Sequence, residues 1–583
     1  MYAKADAVPI PTIAVEPIPV TIDEDEAEDA EYRLSAYGSI EAEATSLIVI
    51  DDNIDISKET NRIIFLRDPA FAILFLLHFG VIIWLAISYG NFHIDEIDFN
   101  VTTWKDYVDD DATSQMDDNK WSELQKIVDE TIQWVDVYPP RIICFIIIPS
   151  CLIAYGFSFL ITALAIPACP TGAVVFSLLG TLAMTLIVSF SISVAAHFNV
   201  FVFMISAFFV GIVIYYICVA WRVIPFAAVN LSVALRGISE NCGVYLVAFI
   251  FSITGFFWTI SWFYILFGVM DSMDKAYETV HRQQGGTPNS DNAEDQKSDP
   301  IQGIVFLALL VSLYWTSKIL LNVVQVSVAG VMATWCFVKN DAEGCCSPGV
   351  YSSLFRSVTF SFGSICMGSL FEAIVTMIRV LLQSTRDQSN RNSCEGCGPI
   401  IFCLLECIAK CLEDILHYFN QWTWVYIGIY GYSYLESGRK VVELFKARGF
   451  TTFITNDLIY HVLRFTNVIV GILTGIVAIL VQSQVDKSHT TDDNMSYLYG
   501  SIESSPPPAA LSMGLGFFVG ISISCVMMQV VKSAVNTLIV CFADDPHKFE
   551  ENRPQVTTRI AEAWGKAFPH SGLDTRTSYS VDV

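Results

Sequence analysis

The sequence predicts an all-α fold, a polytopic bundle of about ten transmembrane helices with both termini in the cytosol. Hydrophobic residues make up 53% of the 583 and charged residues only 16%, with a mean hydropathy of +0.50, far from the composition of a soluble chain. The apolar residues fall in uninterrupted blocks such as Ala70 to Tyr89, Ile142 to Ala168 and Val200 to Ala220. Each block matches or exceeds the ~20 residues that cross a hydrocarbon core. Nothing in the chain shows the alternating segments of ~10 residues that mark a membrane β-barrel.

The elements follow in chain order. Residues 1–62 combine Pro9, Pro11, Pro17 and Pro19 with an acidic run from Asp23 to Glu31. Such a segment cannot bury enough apolar surface to offset its ordering entropy, so a disordered acidic cytosolic tail is expected, without the basic start of a signal peptide. The transmembrane domain is expected over 63–545, with spans at 70–90, 141–167, 172–195, 200–220, 242–269, 302–337, 355–383, 455–482 and 509–542. A tenth crossing is expected between Ile400 and Gly449, where Glu406, Lys410, Glu413, Asp414 and His417 interrupt the pattern and Trp422 to Tyr434 is the most membrane-like stretch. A cytosolic tail over 546–583 closes the chain.

Lys58, Arg62 and Arg67 precede the first span, whereas the loop 91–140 carries thirteen acids against Lys105, Lys120 and Lys126. The positive-inside bias then places the N-terminus in the cytosol, and an even number of spans returns the C-terminus there. Two sequons, at Asn100 and Asn494, fall in the first and last loops, both external in this topology, and are glycosylation candidates. The formal net charge of −26 sits in tails and loops, which argues against nucleic acid or an anionic membrane surface as partner.

Helix contacts in lipid use small residues that let backbones approach. Gly471 and Gly475 form GxxxG in the ninth span, and Ser512, Gly516, Gly520 and Ser524 form a longer ladder in the last. Contacts inside one bundle are the favoured reading of these stripes, a homodimer the alternative. The sixteen Cys are mostly single residues in apolar blocks. Cys345 with Cys346, the CxxC of Cys394 and Cys397, and Cys403, Cys407 and Cys411 at helical spacing are the exceptions, and they lack the paired CxxC or added His of a structural zinc site.

Several separated stretches carry a resemblance. Tyr314-Trp315-Thr316-Ser317, Asn322-Val323-Val324, Val328-Ala329-Gly330 and Ala333-Thr334-Trp335 resemble a signature of the choline transporter-like family, as does Ser361 to Leu370. Tyr418-Phe419-Asn420, Tyr430-Gly431, Glu443-Leu444-Phe445 and Cys541 to Pro546 agree further, in the right order from the fifth span to the C-terminus. The short first loop and overall length look like the fungal and protist branch. The resemblance implies a ten-span transporter at the plasma membrane, with an endomembrane as the alternative, for choline or an ethanolamine-like substrate. A channel-like pore and a non-transporting scaffold are the rival functions.

Choline keeps its charge at every pH, so its site must supply cation–π faces, with or without a carboxylate. Phe251, Gly255, Trp258 and Trp262 share a narrow arc of the fifth span, and Tyr314, Lys318, Asn322 and Gln325 an arc of roughly 80° on the sixth, beside Trp315. Packing and polar glue between helices are the competing readings of these two stripes. Glu372, near the middle of the seventh span, is the most suggestive residue, because intramembrane carboxylates are costly. Lys318 is also at mid-span, and a structural Lys318–Glu372 pair is favoured over a substrate-binding carboxylate. His78 and His461 read as hydrogen-bonded packing rather than a proton relay. No GxxxxGK[ST], HExxH or GxSxG occurs, so neither an enzyme nor a cofactor is expected. For a monovalent cation the membrane potential contributes ~2.3 kcal/mol per 100 mV, enough to drive facilitated entry.

Overall fold

The computed structural model describes residues 66–89, 146–195, 197, 199–283, 300–338, 347–391, 398–448, 457–489 and 509–567. The acidic tail, the loops holding Asn100 and Asn494, and Cys345, Cys346, Cys394 and Cys397 lie outside them. All described residues belong to one compact unit over 64–583.

Fifteen helices account for the regular structure of the described residues. They are α1 Pro69–Tyr89, α2 Ile148–Ala168, α3 Pro170–Ala195, α4 Val200–Ala220, α5 Ile224–Glu240, α6 Gly243–Gln283, α7 Pro300–Phe337 and α8 Pro348–Val358. After these come α9 Phe362–Arg391, α10 Gly398–Tyr430, α11 Tyr434–Arg448, α12 Asp457–His489, α13 Ala509–Asp544, α14 Pro546–Asn552 and α15 Pro554–Ala567.

Nine of them, α1 to α4, α6, α7, α9, α12 and α13, are long and apolar enough to cross a membrane. The chain is thus a multi-pass α-helical membrane protein. The stretch where a weak tenth crossing is expected holds the 33-residue helix α10, which is not among these nine. Its Glu413 accepts hydrogen bonds from Thr376 and Arg379 of α9, so a charge that obscured the span in sequence is neutralised inside the bundle.

Boundaries differ where non-spanning helices adjoin spans. The block expected over 355–383 begins as α8, which breaks at Thr359 (φ −118°, ψ −80°) before α9 starts at Phe362. The fifth span continues to Gln283 as a 41-residue helix, about 60 Å long at 1.5 Å per residue and twice the hydrocarbon thickness. The sequence reading missed α5, a short helix whose buried Ala227, Leu231, Ala234 and Ile238 recur at one-face spacing.

Helices α7 and α13 form the centre. The first packs on α6, α8, α9, α10 and α13, the second on α2, α5, α6, α7 and α12. Between α12 and α13 the seam is built of glycine: a Cβ on Gly520 would lie 2.9 Å from the Gly471 Cα, and one on Gly516 3.0 Å from the Gly475 Cα. The two small-residue stripes are therefore spent on each other within one bundle. Helix α4 packs chiefly on α3 and presents Phe201, Phe203, Phe208 and Tyr215 outward, as a lipid-facing helix does.

One end of the bundle is tied by polar contacts. The Asp68 carboxylate, at the start of α1, accepts from the Ser364 hydroxyl at 2.6 Å and from the Tyr434 amide at 3.1 Å. Tyr434 follows a sharp reversal after α10, at Gly431 (φ +68°), where the left-handed conformation favours glycine. At the same end Tyr426 and Tyr430 donate to Asp544, at the end of α13, at 3.2 and 3.0 Å. Glu240, closing α5, accepts from the Trp335 indole at 2.6 Å and from Arg236 at 3.0 Å, with the Arg553 guanidinium 3.6 Å away. The start of α1 and the end of α13 are thus both tied to the segment around the Gly431 reversal.

Candidate functional site

The polar stripe of α7 faces the bundle interior, where α9, α10 and α13 complete it. Lys318 Nζ lies 2.6 Å from Glu372 Oε1 on α9 and 5.1 Å from the Tyr314 ring centre. His417 of α10 places Nδ1 3.3 Å from the same carboxylate oxygen, so the predicted pair is a triad. Glu372 is buried, its side chain 6% exposed, and two partners satisfy it as a desolvated carboxylate requires. One turn along α7, Asn322 donates to Ser369 Oγ at 2.9 Å. Gln325 donates to Gln529 of α13.

Beside this layer a cavity of about 700 Å³ lies between α10, α12 and α13, within the ~300–1,000 Å³ typical of small-molecule sites. Its wall includes Asp414, His417, Tyr418 and Gln421 from α10, Tyr460, Arg464 and Asn467 from α12, and Cys525, Met528, Gln529 and Lys532 from α13. A smaller recess of about 20 Å³, lined by Lys318, Asn322, Gln325 and Glu372, shares His417, Gln421, Gln529 and Lys532 with it. His417 thus belongs both to the triad and to the wall of the cavity. Lys532 rests over the Tyr460 ring, 4.8 Å from its centre. An amphiphilic wall of tyrosine faces, amides and both signs of charge can hold a small charged molecule out of water.

The expected site residues divide into two groups. Asn322, Gln325 and Glu372 line the recess. Trp315 is buried, donates its indole N–H to the Cys366 carbonyl at 3.0 Å and packs on Phe75 and His78. Tyr314 offers its ring to Lys318, and its hydroxyl oxygen accepts from the Thr376 hydroxyl at 3.4 Å. Trp262 is 1% exposed and donates to the Leu309 carbonyl at 2.8 Å, inside an apolar cluster with Ile82, Ile265 and Val269. Trp258 packs against that cluster and the Phe79 ring. The two fifth-span tryptophans thus face α1 and α7 and line neither cavity. Their shared arc is a packing face, which helical periodicity cannot distinguish from a ligand face. His78 meets Ser312 at 2.7 Å and His461 meets Thr181 at 2.9 Å.

The sequence reading missed Lys532, Tyr460 and Gln421. Lys532 stands in the last apolar span, and a basic residue inside such a run was a usable signal. Tyr460 and Gln421 carried none, since both types are ordinary near span ends.

Comparison with known proteins gives a consistent set of matches. The family model described as plasma-membrane choline transporter matches residues 202–547. Protein PNS1 of Yarrowia lipolytica is 25% identical over 344 residues, 59% of this chain and 56% of that protein. A CTL-like protein of Dictyostelium discoideum is 26% identical over 356 residues, 61% of this chain and 55% of its own length. The chain therefore spans about half the length of the curated relatives it matches.

Proposed function

The chain belongs to the plasma-membrane choline transporter family, and from that membership we propose that it is a secondary carrier for a small organic cation of the choline class. The supporting observation is the 700 Å³ cavity, set among membrane-spanning helices and carrying Tyr418, Tyr460 and Asp414 on its wall. A quaternary ammonium cannot lose its charge, so on leaving water it needs aromatic faces and a carboxylate field, and this wall offers both. Glu372 adds a second carboxylate behind it, held in readiness by Lys318 and His417.

The end of the bundle that holds Asp68 and Asp544 is read as cytosolic, in keeping with the basic residues before α1. Tyr426 and Tyr430 tie that end to Asp544, and the carrier cycle proposed here releases these contacts in exchange for closing the other end. The energy is the gradient of the cation and the membrane potential.

Uptake of labelled choline into proteoliposomes of the purified full chain tests the reading. Saturable uptake, accelerated by unlabelled choline trapped inside, supports a carrier. Uptake that rises linearly with concentration and shows no counterflow would make the protein a pore, and no uptake would leave a scaffold.

A further inference from the structure

The part of α10 that lines the cavity belongs to a longer face. At 100° per residue, Cys403, Cys407, Lys410 and Cys411 fall within the same arc of roughly 120° as Asp414, His417, Tyr418 and Gln421 of the cavity wall. The three cysteines are free thiols and exposed, and Lys410, Asp414 and His417 are exposed with them. Every other exposed residue from 403 to 417 is aliphatic: Leu404, Leu405, Ile408, Leu412 and Ile415 occupy a separate arc of roughly 100°. On the remaining side Ala409 is buried and Glu413 is bonded to Thr376 and Arg379 of α9. Two exposed faces of opposite character mean two solvents. The aliphatic arc suits lipid, whereas a face with an exposed lysine, aspartate and histidine belongs against water. Helix α10 packs chiefly on α7, α9 and α11, with little or no packing on α12 across the cavity, in keeping with an uncovered polar face.

We propose that this face is one wall of a water-filled path by which the cation reaches the cavity, running along α10 from Cys403 past Cys407 and Cys411 to Asp414, about 16 Å at 1.5 Å per residue. The inference rests on the reading of the cavity as the transport site and gives that site an entrance. The path opens at the end of α10 remote from Gly431, opposite the end read as cytosolic, and it supplies the second mouth that a carrier cycle needs. The spacing of the three cysteines, which matches no zinc site, is then that of a path wall.

The thiols themselves report the path. The purified full chain in lipid nanodiscs is treated with a methanethiosulfonate reagent that carries a trimethylammonium. Each reacting thiolate takes up the reagent's thioalkyl group as a mixed disulfide and releases methanesulfinate, and labelling is followed residue by residue by mass spectrometry. In lipid a thiol does not form the attacking thiolate and a permanently charged reagent does not enter. Cys403, Cys407 and Cys411 are expected to react, and the thiol introduced on the aliphatic face by Ile408→Cys to react roughly tenfold or more slower than Cys407. Choline at about ten times its dissociation constant is expected to slow Cys411 about tenfold, by the fraction of sites left empty, and to leave Cys403, about 12 Å farther along the helix, nearly unchanged. The wild-type thiols decide the matter even if the variant fails to fold. Silence of all three, or equal rates for Ile408→Cys and Cys407, would overturn the path. Labelling of Cys411 untouched by choline would overturn the path and leave the carrier if the same protein takes up choline saturably in proteoliposomes, and would overturn both if it takes up none.

Discussion

Glu372 shows how a single side chain can be read from both of its partners. Lys318 at 2.6 Å and His417 at 3.3 Å make it a buried anion with two donors. Removing one member of such a pair strands a charge at a cost of about 3–5 kcal/mol. Glu372→Gln and Lys318→Gln are each expected to reduce folded protein at the membrane, and the double variant to recover much of it, measured by fluorescence-detected size exclusion. Additive losses in the double-mutant cycle would show that the two do not act as a pair. Half of this was legible in the sequence, since two opposite charges at the middle of neighbouring spans invite each other. His417 was not, because it stood as one of five charged or polar residues interrupting the weak tenth crossing, with nothing to single it out as a partner of Glu372. At the end of α5, which is not among the nine spanning helices, burial alone would raise the Glu240 carboxyl, but the hydrogen bonds from Trp335 and Arg236 and the charge of Arg553 outweigh it and hold the group below the usual carboxylate range. A depressed carboxyl contributes stability that is present in full above its unfolded value, about 4.3, and is lost as pH falls through the folded value. Glu240→Gln is therefore expected to lower Tm at pH 7 and to match wild type once the pH is well below that range. A Tm difference that persists in acid would assign the loss to packing instead.

Whole helices obey a coarser logic, set by the bilayer. Backbone polar groups in lipid must be satisfied within the segment, so long apolar runs had to be helices, and nine spans were readable for that reason. The seam between α12 and α13 was readable too, because Gly471, Gly475, Gly516 and Gly520 repeat at one-face spacing. Gly516→Leu or Gly520→Leu drives a side chain into the opposing backbone and is expected to cost more than ~3 kcal/mol, abolishing the monodisperse peak on size exclusion. Gly514→Leu, on the same helix with nothing within 4 Å of an added Cβ, is expected to be tolerated. Equal loss in both would place the effect in helix propensity rather than in the seam. The amphipathic helices α5, α8 and α11 were not legible as elements. Each is too short and too polar to register as a span, and only burial against the bundle distinguishes it from a loop.

At the scale of the molecule, the residues that line the cavity come from α10, α12 and α13, whereas the resemblance and the polar stripe drew attention to the fifth, sixth and seventh spans. No periodicity links Gln421 to Lys532, 111 positions apart, so which helices enclose a space had to come from three dimensions. Tyr426 and Tyr430 both donate to Asp544, and Cys541, three residues before it, is wholly buried. Asp544→Asn is expected to weaken both contacts and to expose Cys541 to a membrane-impermeant thiol reagent, read at that residue by mass spectrometry, while Cys541 of the wild type stays unlabelled. Labelling that is the same in both proteins would remove these contacts from the gating path. The position of α13 also has a consequence in time. Gln325 finds its side-chain partner Gln529 only 204 residues later, and the Ser533 hydroxyl reaches the Gln325 carbonyl from 208 residues away. At the ~5–20 residues per second of synthesis, α7 waits roughly 10–40 s before its neighbour exists. During that interval the Gln325 side chain and carbonyl lack these two partners, and a ribosome that stops short of residue 509 leaves them so for good. The site is finished only when α13 is made, so a product truncated before it carries polar groups that it cannot hide.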